Sequence, residues 1–432
     1  MDSLERRAYA RVTWRLIPFL FACYVVAYLD RVNVGFAKLQ MLGDLGMSET
    51  AYGIGAGIFF IGYFLFEVPS NLILHRTGAR RWIARIMVTW GVLSAATMFV
   101  PNATAFYALR FLLGVAEAGF FPGIVVYLTL WYPAAYRARI MALFMTAVAV
   151  SGVIGGPLSG GILSGLAGRN GWAGWQWLFL LEALPAIALG IATWFYLDDS
   201  VEGARWLSDD EKALLQARLR AEPSGVEHPH VWATLRDGRV LALGLLYFLS
   251  VLGLYGLSFW LPQLIRTLGI AEPWRVGVLS AIPYAVAAVT MVLVGRSSDR
   301  RGERRWHLVA SAVTGAAGLV AAGLSRTDPV LGMIAFSVAA AGILSIPPIF
   351  WTFPTTYLRG ASAAAGIAAV NSFGNLSGFV SPYMIGAVTD ATGEATMGLY
   401  ALAVALGLAV VLTLAITRDA AHASDRSRAV RD

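Results

Sequence analysis

Cysteine is nearly absent from this 432-residue chain. Cys23 is the sole one, which excludes an intramolecular disulfide and a cysteine metal site. Charge is scarce too, at 14% of residues against 58% hydrophobic. No polar stretch is long enough to bury a soluble core, so the chain reads as an integral membrane protein. No nucleophile–base constellation and no metal-ligand cluster stands out, so neither an enzyme nor a metal or cofactor is expected. The apolar run after Arg6, Arg7, Arg11 and Arg15 is too long for a signal-peptide core and lacks a clear cleavage site. It predicts a retained first helix. No appended signalling domain is evident, which argues against a transport-inactive sensor.

What the chain does have is apolar segments, at about 15–37, 51–74, 82–100, 104–131, 139–166 and 174–197, then about 239–265, 276–295, 306–324, 329–357, 362–389 and 396–417. Each is long enough to cross a bilayer as a helix, predicting an all-α membrane protein with twelve transmembrane helices. If the N-terminus is cytoplasmic, the outer loops hold only Lys38, Arg169, Arg266, Arg275 and Arg326. Arg31 and Arg110 lie within helices, and the other basic residues fall on the cytoplasmic side. This asymmetry predicts both termini in the cytoplasm. The +7 net charge is thus a topology signal, and no nucleic-acid partner is expected. The expected divisions are a six-helix bundle over 1–197, a cytoplasmic linker over 198–238, a second bundle over 239–418 and a disordered, surface-associated tail over 419–432. In the linker, Ser208 and Glu211 form an S-x-x-E capping box, predicting a short amphipathic, solvated helix.

The stretch Tyr24–Asn33, YVVAYLDRVN, lies in an apolar segment whose only charges are Asp30 and Arg31. Each costs at least about 2.5 kcal/mol near the bilayer centre, so function is the default expectation. The alternatives are a self-neutralising adjacent pair or an arginine reaching the headgroups. Adjacent residues project about 100° apart, so the two face different neighbours. The fourth segment carries Arg110 and Glu117, close to two turns apart on one face and about 10.5 Å apart along the axis. With helix one running outward and helix four inward, all four charges are expected to converge on one cavity-lining layer. A purely structural network is the alternative. Glu67, just before Pro69, is expected to satisfy local backbone donors, and Glu182 has no preferred role.

His75-Arg76-Thr77-Gly78-Ala79-Arg80-Arg81-Trp82 recurs as Asp299-Arg300-Arg301-Gly302-Glu303-Arg304-Arg305-Trp306, and P-x-x-Y recurs at Pro133/Tyr136 and Pro354/Tyr357. The halves therefore read as two pseudo-symmetric six-helix bundles with a substrate site between them near the midplane. Gly295-x-x-x-Asp299-Arg300-x-Gly302-x-Arg304-Arg305 resembles the cytoplasmic loop motif of the major facilitator superfamily (MFS). The first copy departs from it, with Asn71 for the leading glycine and His75 for the aspartate. Asp299, Arg300, Gly302 and Arg304, with Arg76, Gly78 and Arg80, are expected to gate conformation by pairing loop charges with helix ends.

Asp30-Arg31 with Arg110 and Glu117, and the local wording YLDRVNVGFA and YGLSFWLPQ, are similar to the anion:cation symporter family of that superfamily. Its tartrate-type and aromatic-acid-type permeases are proton-coupled carriers of organic anions. The resemblance implies carboxylates that take the coupling proton, Asp30 and Glu117, and arginines that hold the substrate carboxylate, Arg31 and Arg110. The chemistry is apt. Arginine fits a carboxylate bidentately, and an arriving anion can release a paired carboxylate to accept a proton. Tyr63 and Asn371 are pocket candidates by resemblance, joined by Asn375, Trp351, Tyr255 and Tyr284; ordinary packing is the alternative for the aromatics. GVIGGPLSGG, with Pro157, is similar to a pattern of drug/proton antiporters. The expectation is a monomeric carrier in the bacterial inner membrane, driven by the proton gradient and importing a small organic anion such as tartrate or a sugar acid. An efflux antiporter or an aromatic-carboxylate importer is the alternative.

Overall fold

The computed structural model describes residues 3–221, 236–325, 328–357 and 362–429 and is entirely helical among them. The helices are α1 (Ser3–Val32), α2 (Val34–Asp44), α3 (Glu49–Thr77), α4 (Ala79–Ala96), α5 (Ala103–Glu117), α6 (Phe120–Thr129), α7 (Ala134–Gly165) and α8 (Gly174–Tyr196) in the first half. There follow α9 (Asp209–Arg220), α10 (Gly238–Thr267), α11 (Pro273–Arg301), α12 (Arg305–Leu324), α13 (Pro329–Phe350), α14 (Thr352–Tyr357), α15 (Ser362–Thr392) and α16 (Thr396–Ala429). Polar caps set several starts. Ser48 accepts from Ala51 N at 3.1 Å and Asn102 from Ala105 N at 2.9 Å, while Asp328 caps α13, which opens on Pro329. Arg326 lies outside the described residues, and α16 carries on as helix to Ala429, past the point where disorder is expected. Its Ala420, Ala421 and Ala423 favour helix and no glycine or proline interrupts them.

Among the described residues, eleven stretches are long and apolar enough to cross a membrane. The twelfth span is α15, diluted by Asn371, Asn375, Ser377, Ser381 and Asp390 but packed between α3 and α10. Spans one, four and ten are each interrupted. At Asn33 only the hydrogen-bond ladder is irregular, the dihedrals staying helical. After Glu117 the chain turns at Gly119, whose φ of +85° and close approach to Ser70 require glycine. The third break falls at Trp351.

The halves meet through α3 on α15, α7 on α11 and α2 on α10. Their tightest approaches cluster at one end, called here the far end; α9 and the start of α1 lie at the near end. A Cβ on Gly57 would lie 2.8 Å from the Phe379 carbonyl oxygen, and one on Gly35 2.9 Å from that of Phe259. Such small-residue contacts let helix backbones meet. Polar groups seal the same end. Asp390 accepts from Glu49 N and Thr50 N, at 3.1 and 2.8 Å, capping α3 from across the interface. Lys38, expected in an outer loop, is instead buried in α2. It pairs with Glu49 at 2.5 Å and lies 3.3 Å from the centroid of the Trp260 ring.

At the near end, α9 begins with the expected capping box: Ser208 N donates to Glu211 at 3.0 Å, and Glu211 N to Ser208 at 3.4 Å. It is not freely solvated. Leu215 is buried, and Arg11–Glu211 (2.9 Å) and Arg218–Glu5 (3.1 Å) tie it to α1.

Candidate functional site

Arg31 leaves α1 toward the space between the halves. Its guanidinium pairs with Glu117, the last residue of α5, and lies 5.3 Å from the Phe59 ring centroid and 5.4 Å from that of Tyr63. Tyr255 reaches the same guanidinium from the second half. One turn beyond Tyr63, Glu67 accepts a hydrogen bond from Asn371 Nδ2 at 3.3 Å, again across the interface. Arginine, two carboxylates, tyrosines and an amide therefore share one inter-half layer, walled by Phe59 and Phe60. Glu67 was expected to serve local backbone donors. Its position one helical turn from Tyr63 aims it at α15 instead.

The four helix charges lie near enough to interact, but only Arg31 and Glu117 form an ion pair. Asp30 turns about a third of the way around α1 from Arg31, into the first half. It accepts from Trp90 Nε1 at 2.8 Å, Ser94 Oγ at 2.9 Å and Asn33 Nδ2 at 3.5 Å. Arg110 is fully buried and donates to the carbonyls of Gly55 and Ala56 on α3, at 3.3 and 3.2 Å. The 100° step between neighbours gives Asp30 and Arg31 different partners, and Arg110 is held between α5 and α3.

The other candidates divide similarly. Asn375 lies one turn from Asn371 on the α15 face toward α3, where Gly378 abuts the Phe60 ring. Trp351 stacks edge-on with Tyr247 at 5.0 Å, inside an aromatic cluster of the second half. Tyr284 lies farther out, its hydroxyl 3.4 Å from Ser258 Oγ and its ring packed on Gly152. Phe59, Phe60 and Tyr24 escaped sequence reasoning because aromatics in apolar helices carry no distinguishing pattern.

The loop motifs are latched in both halves by different means. Arg304 pairs with Asp299 at 2.6 Å and donates to Ser298 at 2.9 Å, around Gly302 at φ +64°. The first copy has histidine where that aspartate stands, and Asp199, beyond the end of α8, supplies the carboxylate. It pairs with Arg80 Nε at 3.1 Å and accepts from Arg80 N at 3.1 Å, beside Gly78. Arg76 and Arg300 are on the surface of this end.

A two-bundle helical membrane protein with a charged layer between its halves has the architecture of a secondary carrier. The Major Facilitator Superfamily model matches residues 20–382, and the chain belongs to that superfamily. Among relatives, a protein of Agrobacterium vitis provisionally named a tartrate transporter is 50% identical over 98% of this chain and 94% of its own length. A quinolone resistance transporter of Acinetobacter baumannii is 43% identical over 95% of each. The crystal structure of a bacterial homologue of the human lysosomal transporter Spinster, inward-facing and occupied, superposes with a TM-score of 0.74 at 17% identity. The match covers 93% of this chain and 96% of that one. The protein is thus a multi-pass membrane transporter and not an enzyme.

Proposed function

We propose that the protein imports a small hydroxylated organic anion across the bacterial inner membrane by proton symport, with both termini in the cytoplasm. The Arg31–Glu117 pair carries this reading. It sits at the interface, within reach of Tyr255, where a substrate carboxylate can enter and take the place of Glu117. A substrate carboxylate takes the guanidinium bidentately, and the displaced Glu117 then accepts a proton. Anion and proton therefore favour each other's binding, and Glu117 serves as a coupling site. Tyr63, Tyr255 and Asn371 offer hydroxyl and amide partners to the substrate's own hydroxyls. Arg110 positions α3 and the Phe59 ring beneath the pair. The loop latches around Asp299 and Asp199 hold the near end in its present arrangement, and release of the Lys38–Glu49–Asp390 seal opens the far end. The name of the Agrobacterium relative favours a hydroxy-dicarboxylate such as tartrate.

A second reading, proton-coupled efflux, is favoured by the name of the Acinetobacter relative and by the glycine–proline run around Pro157 in α7. Purified protein in liposomes under an imposed pH gradient separates them. Accumulation of labelled tartrate or a sugar acid when the outside is acidified supports symport. Expulsion of a preloaded aromatic drug without anion uptake supports efflux and overturns it.

A further inference from the structure

Glu182 of α8 is a carboxylate to which the mechanism above gives no part. It is almost wholly buried, and Ser159 Oγ of α7 donates to its Oε1 at 2.6 Å. Its Oε2 has no hydrogen-bond partner, nor has Oδ1 of Asn33, which lies within side-chain hydrogen-bonding reach of Glu182. Both orphans are acceptors. A proton on Glu182 would supply the missing donor and satisfy the two at once. Asn33 also donates to Asp30 through Nδ2, so the amide bridges two buried carboxyls that interact electrostatically.

Nothing cationic is spent on Glu182. The charged groups facing Asp30 are Arg110, committed to the α3 carbonyls, and Glu117, committed to Arg31. From α4 come Trp90 and Ser94, and from α7 Ser159, all uncharged. Two ionised carboxylates this close, without a counter-ion of their own, are costly in a low-dielectric interior, and one bound proton removes the repulsion. Ser159 and Asn33 also line a cavity between the halves, together with Ser151 of α7 and Ser280 and Tyr284 of α11. Phe36, two residues before Lys38 of the far-end seal, also lines it, so opening the seal would give it access to the far-side solution.

We propose that Glu182 and Asp30 form a two-carboxyl proton site, loaded from the far side through Ser159 and Asn33 and distinct from the Arg31–Glu117 pair. It deepens the symport reading, on which it rests, by giving the coupling proton an entry separate from the anion's. The transfer is one of a proton alone: it arrives from the cavity, binds Glu182 Oε2, and returns to the cavity when Glu182 ionises, with the Asn33 amide intact throughout.

Infrared difference spectroscopy of the purified transporter in liposomes, with a pH step, tests it. The wild type should show a protonated-carboxyl band at neutral pH that Glu182→Gln removes, and the pH of half-maximal tartrate uptake should move by about tenfold in proton concentration. The absence of the band, its persistence in both Glu182→Gln and Asp30→Asn, or an unmoved pH profile once it is lost would each overturn the proposal. Ser159→Ala keeps both carboxyls and should slow deuterium exchange of the band several-fold, and unchanged exchange overturns the Ser159 route. Infrared reads the site without transport. A wild type lacking proton-driven uptake therefore overturns the symport reading alone, and the band still decides protonation at Glu182.

Discussion

In the first half of the chain, Asp30, Glu67, Arg110, Glu117 and Glu182 are buried in membrane helices and Arg31 is nearly so. In the second half, the described buried polar side chains, tyrosines and tryptophans aside, are serines and threonines. The halves repeat one plan, down to the loop motif, yet among the described residues only the first buries acidic and basic side chains in its membrane helices. Buried charge is expensive, and each such group needs a partner. The second half contributes what can move against these groups: the Tyr255 hydroxyl, the Asn371 amide and aromatic wall. On the symport proposal, this asymmetry assigns coupling chemistry to the first half and leaves the second to open and close over it.

The largest test of this division is Arg31→Ala set beside Tyr255→Phe. The first should weaken tartrate or sugar-acid binding about a hundredfold or more, because it removes the bidentate partner and leaves Glu117 buried alone. The second should cost about tenfold or less, the share of one neutral hydrogen bond. Calorimetric titration of the purified protein reads both, and near-equal losses would break the comparison. Next comes Glu117→Gln, expected to abolish gradient-driven accumulation while anion exchange across liposomes continues. Full accumulation by that variant would move proton coupling elsewhere.

Movement between the halves can be tested apart from chemistry. Gly57→Val places side-chain atoms against the backbone at Phe379, so the far end should stay open and net transport should fall about tenfold or more. A cysteine placed at Ser280 should then react with an impermeant maleimide added from the far side; an unreactive thiol would show that the seal forms regardless. The smallest effect is expected at the near-end latches. Asp199→Asn removes a half-exposed pair worth about 1 kcal/mol or less. It should lower the melting temperature by a few degrees at most, as Asp299→Asn should in the other copy. A much larger drop for one of them would mean that the two latches are not equivalent.

Much of this was legible beforehand. Eleven spans follow from apolar length among the described residues, the polar-diluted α15 being the twelfth, and the loop repeat follows from identical residues at equal spacing. The charges of span one and span four announced themselves by their cost. Three things were not legible. Which partners Asp30 and Arg31 take, Trp90 and Ser94 for one and Glu117 for the other, depends on the rotation of α1 against α4 and α5. Glu67 meets Asn371 across 304 residues of chain. Asp199 replaces an aspartate that the first loop motif lacks, a substitution by position that no motif comparison within the loop could reveal.

The sequence by itself determined that this chain crosses a membrane as two related bundles, which pairs of residues lie on one helix face, and which side chains are too costly to be idle there. These are properties of the single helix and its solvent, set by hydropathy and the 3.6-residue period. The tertiary structure alone decided the partners: Arg31 with Glu117, Asp30 with Trp90 and Ser94, Glu182 with Ser159, and Glu67 with Asn371. A charge buried in hydrocarbon must find its counterpart on another helix, and which helix that is depends on packing angles and depths that no local pattern encodes.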